Sequence, residues 1–379
     1  MTDQTTAQFV HRPTYAEVDT RALRSNFNAI KAHVAEAKVM AVVKANGYGH
    51  GLFTVARELE SSGVDALGVA YIEEALELRA GGVSSPILVF GGVLKDQLPL
   101  FINNDVDVTA SSVSKMEQID AAAQILGKRA RVHLKVDTGL ERIGVHYYSS
   151  QALFDAALKA SNCDVVGVYS HFAEVNPNDL SLAKEQLARF HEATRYFQQR
   201  ATGPFLRHIA NSGGLLMLSE SHLDMVRPGL SLYGVYPHPE MRERLKLSPA
   251  LALKSQVVFF KVVKKDAGVS YGHLWRAPHD TRVVTVPIGY GDGYLRSLSN
   301  KGAAIIRGKR HSVVGAVCMD QMMVNIGSDG EAYNGDEVVL IGSQNGASIT
   351  VEELADSIQT TPHEILVALN QRIPRVVRQ

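Results

Sequence analysis

Residues 39–51 read Val39-Met40-Ala41-Val42-Val43-Lys44-Ala45-Asn46-Gly47-Tyr48-Gly49-His50-Gly51, an apolar run closed by a lysine and followed by a glycine-rich turn. A short segment that is apolar throughout fits a strand buried on both faces of a parallel sheet. An amphipathic stretch follows at 52–61, with apolar side chains recurring every three or four residues as on a helix. Working outward, the same couplet repeats. Strands are expected over 39–44, 66–71, 87–90, 106–110, 131–136, 165–170, 207–211 and 225–233, with helices at 52–61, 72–80, 113–123 and 182–199 among the intervening segments. Eight strand-then-helix repeats match a (β/α)8 TIM-type barrel of the α/β class.

Past Pro237 the character changes. From about residue 250 the chain reads as short Val-, Ile- and Phe-rich strands broken by glycine turns, with one helix near 351–358. A mainly β C-terminal domain is therefore expected after the barrel. The expected domains are residues 13–240 for the barrel and 241–379, with about 1–12, for the β domain.

The 379 residues carry 39 Lys+Arg and 39 Asp+Glu, a balance that argues against a general nucleic-acid surface, which needs a net basic face. Cys163 and Cys318 are the only cysteines. They stand far apart, so neither a disulfide framework nor a zinc site is supported, and no metal is expected. Residues 1–12 are polar, and no uninterrupted apolar stretch of about 18 residues occurs, so a membrane partner is not expected and a cytoplasmic location is. The expected partner is a small molecule.

In a parallel barrel the catalytic groups gather at the carboxyl ends of the strands. Polar residues just past the expected strands are Lys44, Arg142, His171, Asn211, Ser212 and Arg227. A lysine closing an apolar strand either emerges into solvent or is buried with a lowered pKa, the state that imine chemistry needs. Position alone leaves both readings open. The glycines at 47–51 and 289–293 lack the full dinucleotide fingerprint, and His50 has no second ligand at metal spacing, so it reads as a structural histidine.

The stretch Val43–Gly51 closely resembles the cofactor-lysine signature of the alanine racemase family. So do further blocks in family order: 134–144 around Lys135 and Arg142, 169–172 around His171, 208–212 around Asn211, 226–234 around Arg227, 269–272 around Tyr271, 288–294 around Tyr290, and 317–321 around Met319. The resemblance implies pyridoxal 5'-phosphate held as an imine on Lys44. It also implies an isomerase that interconverts L- and D-alanine for peptidoglycan precursors, and a homodimer in which Tyr271 of one subunit serves the barrel of the other. Lys44 and Tyr271 would be the two proton handlers. Arg227 would bond the pyridine nitrogen, and His171 would bridge Arg227 and Tyr271. Tyr48, Asn211, Ser212, Gly229, Leu230 and His363 would complete the cofactor site. Arg142, Tyr290, Met319 and Asp320 would face the substrate, and Asp292 and Arg296 would lie beside the entrance. Lys135 matches a lysine often carbamylated, which would orient Arg142.

There are departures from the family pattern. His363 stands where many relatives have tyrosine, which implies a looser pocket and measurable serine racemisation. Leu140 and Glu141 differ from the commonest pairing, although Arg142 keeps its spacing from Lys135. Rival readings are a related barrel decarboxylase, a D-amino-acid dehydratase or aldolase, a non-catalytic carrier of the same cofactor, and a cofactor-free imine-forming aldolase.

Overall fold

The computed structural model describes residues 12–379; the expected placement of the residues before Arg12 with the β domain lies outside the described residues. The chain forms two compact units, Ala22–Ser248 and the residues through Arg21 together with Pro249–Gln379.

Strands form at all eight expected places, but of the expected 225–233 only Met225–Val226 is strand, and Leu230–Tyr233 is a 3-10 turn. The eight are Lys38–Val42, Ala66–Val69, Ile87–Val89, Val106–Ala110, Ala130–Asp137, Cys163–Tyr169, Leu206–His208 and Met225–Val226. Neighbours pair in parallel in chain order, and Met225–Val226 returns to pair with Lys38–Val42. The seam between the seventh and eighth strands has no regular ladder, but two backbone bonds span it, Asp224 N–H to Arg207 O at 3.2 Å and Arg227 N–H to Ala210 O at 2.9 Å. Apolar runs such as Ala66–Val69 are wholly buried, because the helices cover the outer face. The helices follow their local signals. Val113–Leu126 starts at Ser112, whose hydroxyl accepts the Lys115 N–H, and stops at Gly127, whose φ of 62° suits a residue without Cβ.

The second unit is a ten-stranded, mostly antiparallel sheet, with helices Val351–Ser357 and Pro362–Ala368. From residue 250 on, its first two strands are Leu251–Gln256 and Phe259–Val263, joined by a short link. The boundary at the amino end also differs from the expectation. Residues 13–21 were expected in the barrel, yet strand Tyr15–Asp19 pairs antiparallel with Leu251–Gln256 and parallel with Arg375–Arg378. Its Ala16 and Val18 are fully buried there. Five residues of period-two alternation specify a half-buried strand but not its partner, which here lies more than 200 residues away. Among the described residues no helix is long and apolar enough to cross a membrane.

Arg12 secures this amino-terminal strand to the sheet. Its guanidinium donates to both oxygens of Asp292, at 2.7 and 2.6 Å, and to Pro287 O at 2.8 Å. Asp292 also accepts the Gly289 N–H and lies 3.3 Å from Arg372. Burial alone would raise the Asp292 pKa, but the bonds from Arg12 and Gly289 and the charges of Arg12 and Arg372 outweigh it and hold the carboxyl low. We expect Asp292→Asn to lose about 1–3 kcal/mol in urea unfolding at neutral pH. Because the folded pKa is depressed, the difference is full above the ordinary carboxylate range and shrinks as pH falls through the folded pKa. An unchanged midpoint at pH 7 would refute this clasp.

Candidate active site

Lys44 follows the first barrel strand and is half-buried. The backbone behind it is unusual: Ala45, Asn46, Gly47 and Tyr48 all have φ between 52° and 60°, a short left-handed turn. L-residues adopt it at a cost of roughly 1–2 kcal/mol each, so it persists only where neighbours hold it. Glu74 does so, its Oε1 accepting the Ala45 N–H at 2.6 Å and its Oε2 the Ala70 N–H at 2.7 Å. Asn46 Oδ1 accepts the Leu52 N–H and so starts the next helix. Burial, and then the charge of Arg142, lower the Lys44 pKa, while Glu74 partly opposes them. The buried reading of this lysine is the one the structure adopts.

Arg227 is 3% exposed. One Nη donates to His208 Nδ1 at 2.8 Å; the other serves Ser170 O at 2.6 Å, Ile209 O at 3.1 Å and His171 Nδ1 at 3.2 Å. None of these acceptors is a carboxylate. Burial brings its pKa down to about 10, which still leaves a cation at neutral pH. His171 feels burial first, then the charges of Arg227, Lys135, Arg142 and Lys44, and stays far below its ordinary pKa. Since arginine only donates, His171 Nδ1 must accept, and the proton of the neutral ring sits on Nε2.

Lys135 is also buried, with its ammonium 3.1 Å from Val136 O and 4.9 Å from the Tyr169 ring centroid. Burial and the charges of Arg227 and Arg142 outweigh Asp137 and lower its pKa to about 7. Asp137 fixes the following loop, its carboxylate accepting the amides of Gly139, Leu140 and Arg142. The Arg142 side chain is exposed at the mouth.

The structure brings Tyr48, Ser212 and Gly229 together, with Leu230 next in the chain. Ser212 Oγ accepts the amides of Gly229 and Ser231, and Asn211 caps the helix Ser212–Met217 through the Gly214 N–H. A Cβ at position 229 would stand 2.5 Å from the Tyr48 hydroxyl oxygen, so only glycine lets the backbone pass. The Tyr48 ring stacks on Tyr233 at 5.0 Å, and His50 lies 4.4 Å from the same ring, the structural place expected of it.

In the other unit, Tyr271, Met319 and Asp320 line one cleft with Phe259 and Lys261. Tyr271 is 75% exposed on a rigid turn: Ser270 has φ 64°, and its hydroxyl donates to Ala316 O at 2.7 Å. Tyr290 adjoins this loop, its N–H donating to Cys318 O, and Arg372 bonds Asp320 at 2.6 Å. His363 is exposed on the helix Pro362–Ala368, and Arg296 is exposed as well. Asp292 is the buried clasp described above rather than a group at an entrance. The motifs leave out Glu74, Asp107 and His133 and give no role to Tyr169 and His208; all but Glu74 are buried inside the barrel. Their signal was polar residues at every second position of otherwise apolar strands, as in Arg131-Val132-His133-Leu134-Lys135.

Residues 18–237 match the family profile of the alanine racemase N-terminal domain, and residues 250–377 that of the alanine racemase C-terminal domain. The chain is 39% identical over 367 residues to alanine racemase 2 of Caldanaerobacter subterraneus subsp. tengcongensis, covering 96% of this chain and 95% of that protein. The crystal structure of alanine racemase from D-cycloserine-producing Streptomyces lavendulae superposes with a TM-score of 0.93 at 37% identity, covering 97% of each chain. A histidine racemase from Leuconostoc mesenteroides subsp. sake is similar too, with a TM-score of 0.87, 30% identity, and coverage of 98% of this chain and 99% of that one. With both halves matched and the relatives spanned almost end to end, the chain belongs to the alanine racemase family.

Proposed function

We propose that the barrel mouth holds pyridoxal 5'-phosphate on Lys44, and that the alanine racemisation expected of this family passes protons between two residues. Lys44 serves one face of the substrate Cα. Tyr271, supplied by a second copy of the chain in a homodimer, serves the other. The observation that carries this reading is a half-buried amine whose pKa burial depresses, within electrostatic reach of Arg142 and His171.

The residues present suit the cofactor. Its aldehyde calls for an amine that is neutral part of the time, as a lowered pKa provides at Lys44. Its phosphate calls for hydroxyls and close backbone, which Tyr48, Ser212, Gly229 and Leu230 offer, with His363 as a further contact by family resemblance. Its ring nitrogen calls for a donor, and Arg227 gives a hydrogen bond without readily giving up the proton. When bound, pyridoxal phosphate supplies the electron sink for the pair left on Cα.

Lys44 Nζ, free once the substrate amine has taken its place, would take or return the α-proton on its side. A free phenol is a poor base at neutral pH. His171 remedies this for Tyr271, because its Nε2–H is oriented by Arg227 and can donate to the phenolate oxygen. Arg142, placed by Asp137, faces the substrate carboxylate along with the Met319 amide; Asp320, bonded to Arg372, supports that loop, and Tyr290 narrows the entrance. Exposed Phe259, Phe260, Val262 and Leu274, in the same unit as Tyr271, support a second copy covering this surface. The free thiols Cys163 and Cys318 suit a cytoplasmic enzyme that supplies D-alanine for peptidoglycan precursors. Carbamylation of Lys135 is favoured by its pKa of about 7, since the neutral amine is the form that adds carbon dioxide.

In deuterium oxide, each alanine enantiomer should gain deuterium at Cα with inversion, and borohydride should fix a pyridoxyl group at Lys44. Tyr271→Phe should slow α-proton abstraction from one enantiomer by about a hundredfold more than from the other. Equal exchange from both would overturn the two-base assignment. Labelled bicarbonate should yield a carbamate carbon-13 signal that Lys135→Ala lacks; a wild-type spectrum without it would remove that modification. Serine should be turned over measurably. His363→Tyr should lower kcat/KM for serine relative to alanine by roughly tenfold, and an unchanged ratio would sink the pocket argument.

A further inference from the structure

Behind Arg227 a line of buried polar groups runs down the inside of the barrel. His208 Nδ1 faces Arg227 at 2.8 Å, His208 Nε2 faces His133 Nδ1 at 2.9 Å, and His133 Nε2 faces Asp107 Oδ2 at 3.3 Å. Asp107 Oδ1 meets Arg131 Nε at 2.7 Å. Asp107, His133 and His208 are each at most 2% exposed, whereas the Arg131 side chain is 47% exposed. Asp107 and Arg131 are second residues of their strands, at the amino-terminal end of the barrel, and Arg227 lies past the carboxyl end of its own. The chain therefore joins the two ends of the barrel.

Chemistry fixes its direction from both sides. Arginine can only donate, so His208 Nδ1 accepts, its proton lies on Nε2, and that N–H donates to His133 Nδ1. His133 must then carry its own proton on Nε2, where the Asp107 carboxylate accepts it. Reversing either tautomer would set two donors face to face. Burial raises the Asp107 pKa, but the bonds from His133 and Arg131 and the charge of Arg131 outweigh it and keep the carboxyl ionised. Burial, and then the charge of Arg227, keep His208 neutral. The Tyr169 ring stacks on His208 at 5.1 Å, nearly parallel, and the Tyr169 hydroxyl is tied to Thr109 at 2.8 Å.

The fold makes room for this line. Strand Cys163–Tyr169 passes between the strands of His133 and His208. At its point of passage stands Gly167, where a Cβ would lie 2.3 Å from His133 Nδ1 and 3.1 Å from His208 Nε2. Any side chain there would occupy the space of the His133–His208 hydrogen bond.

We propose that Asp107, His133 and His208 are positioning residues of the racemase: a one-way hydrogen-bond chain, admitted by Gly167, that holds the Arg227 guanidinium in the orientation the cofactor ring and His171 require. This rests on the roles given above to Arg227 and His171. An ion pair at the far end of the barrel thus acts on a site it does not touch. Asp107→Asn probes the charge with little change of shape, since it replaces one acceptor oxygen by an amide NH2 that can only donate, toward either His133 Nε2–H or Arg131 Nε–H. Gly167→Ala probes the histidine contact without altering any polar residue.

The test has two arms. Nitrogen-15 NMR of histidine-labelled wild type at about pH 8 should show His133 and His208 both as Nε2–H tautomers with Nδ1 unprotonated. In each variant, kcat for alanine should fall between about threefold and thirtyfold, with KM for alanine changing less than kcat and cofactor absorbance still saturable. A protonated histidine, or an Nδ1–H tautomer at either position, overturns the chain. So does wild-type kcat in folded Asp107→Asn, whatever becomes of Gly167→Ala. Loss of thermal stability alone, with kcat intact, assigns the line to packing and overturns the proposal. Absence of racemisation by the wild type would instead defeat the functional reading, while the tautomer spectra still judge the chain.

Discussion

A guanidinium buried in a barrel with no carboxylate against it is the constraint on which the rest of the site depends. Burying a charge is costly unless polar groups replace its water, and at Arg227 the replacements are two histidine nitrogens and two carbonyl oxygens. Those acceptors come from the ends of neighbouring strands, so the cation is held from several directions. The same contacts decide the states of the histidines, because a group that can only donate forces its neighbours to accept. His171 is left with an N–H on its far nitrogen, and His208 passes the requirement on to His133 and Asp107. The positive potential at the mouth follows as well; burial first, and then that potential, depress the pKa values of Lys135 and His171, and burial with Arg142 does the same for Lys44.

The left-handed turn after Lys44 is the second device. A right-handed helix starting at residue 44 would continue the ordinary strand-to-helix connection of a barrel. Instead Ala45, Asn46 and Tyr48 take positive φ, and the turn is held by Glu74 and Asn46. The geometry brings Tyr48 inward against Tyr233 and Gly229 while Lys44 stays at the strand end. Strain of this kind persists because the surroundings hold it from several sides, and it gathers where a side chain must be aimed.

Much of this could be read from the chain. The barrel strands are short local runs, apolar throughout or at alternate positions and bounded by turns, and the mouth residues Lys44, Ser212 and Arg227 follow from their positions after those runs. Less could be said of Tyr15–Asp19, since alternation specifies a strand but leaves its partners open. The family resemblance implies a place for Asp292 beside the entrance, next to Tyr290. Its role as a clasp depends on Arg12, 280 residues away in sequence.

By itself the sequence determined the order of elements, the lysine at the strand end and the positions of the groups capable of chemistry, because periodicity and turn residues act over a few neighbours. Tertiary structure alone decided which of those groups are desolvated, which nitrogen of each histidine bears its proton, and that Gly167 leaves space for His133 to reach His208. Those properties come from side chains on strands far apart in sequence, packed where water cannot enter, and distance and dielectric there depend on the closed barrel as a whole.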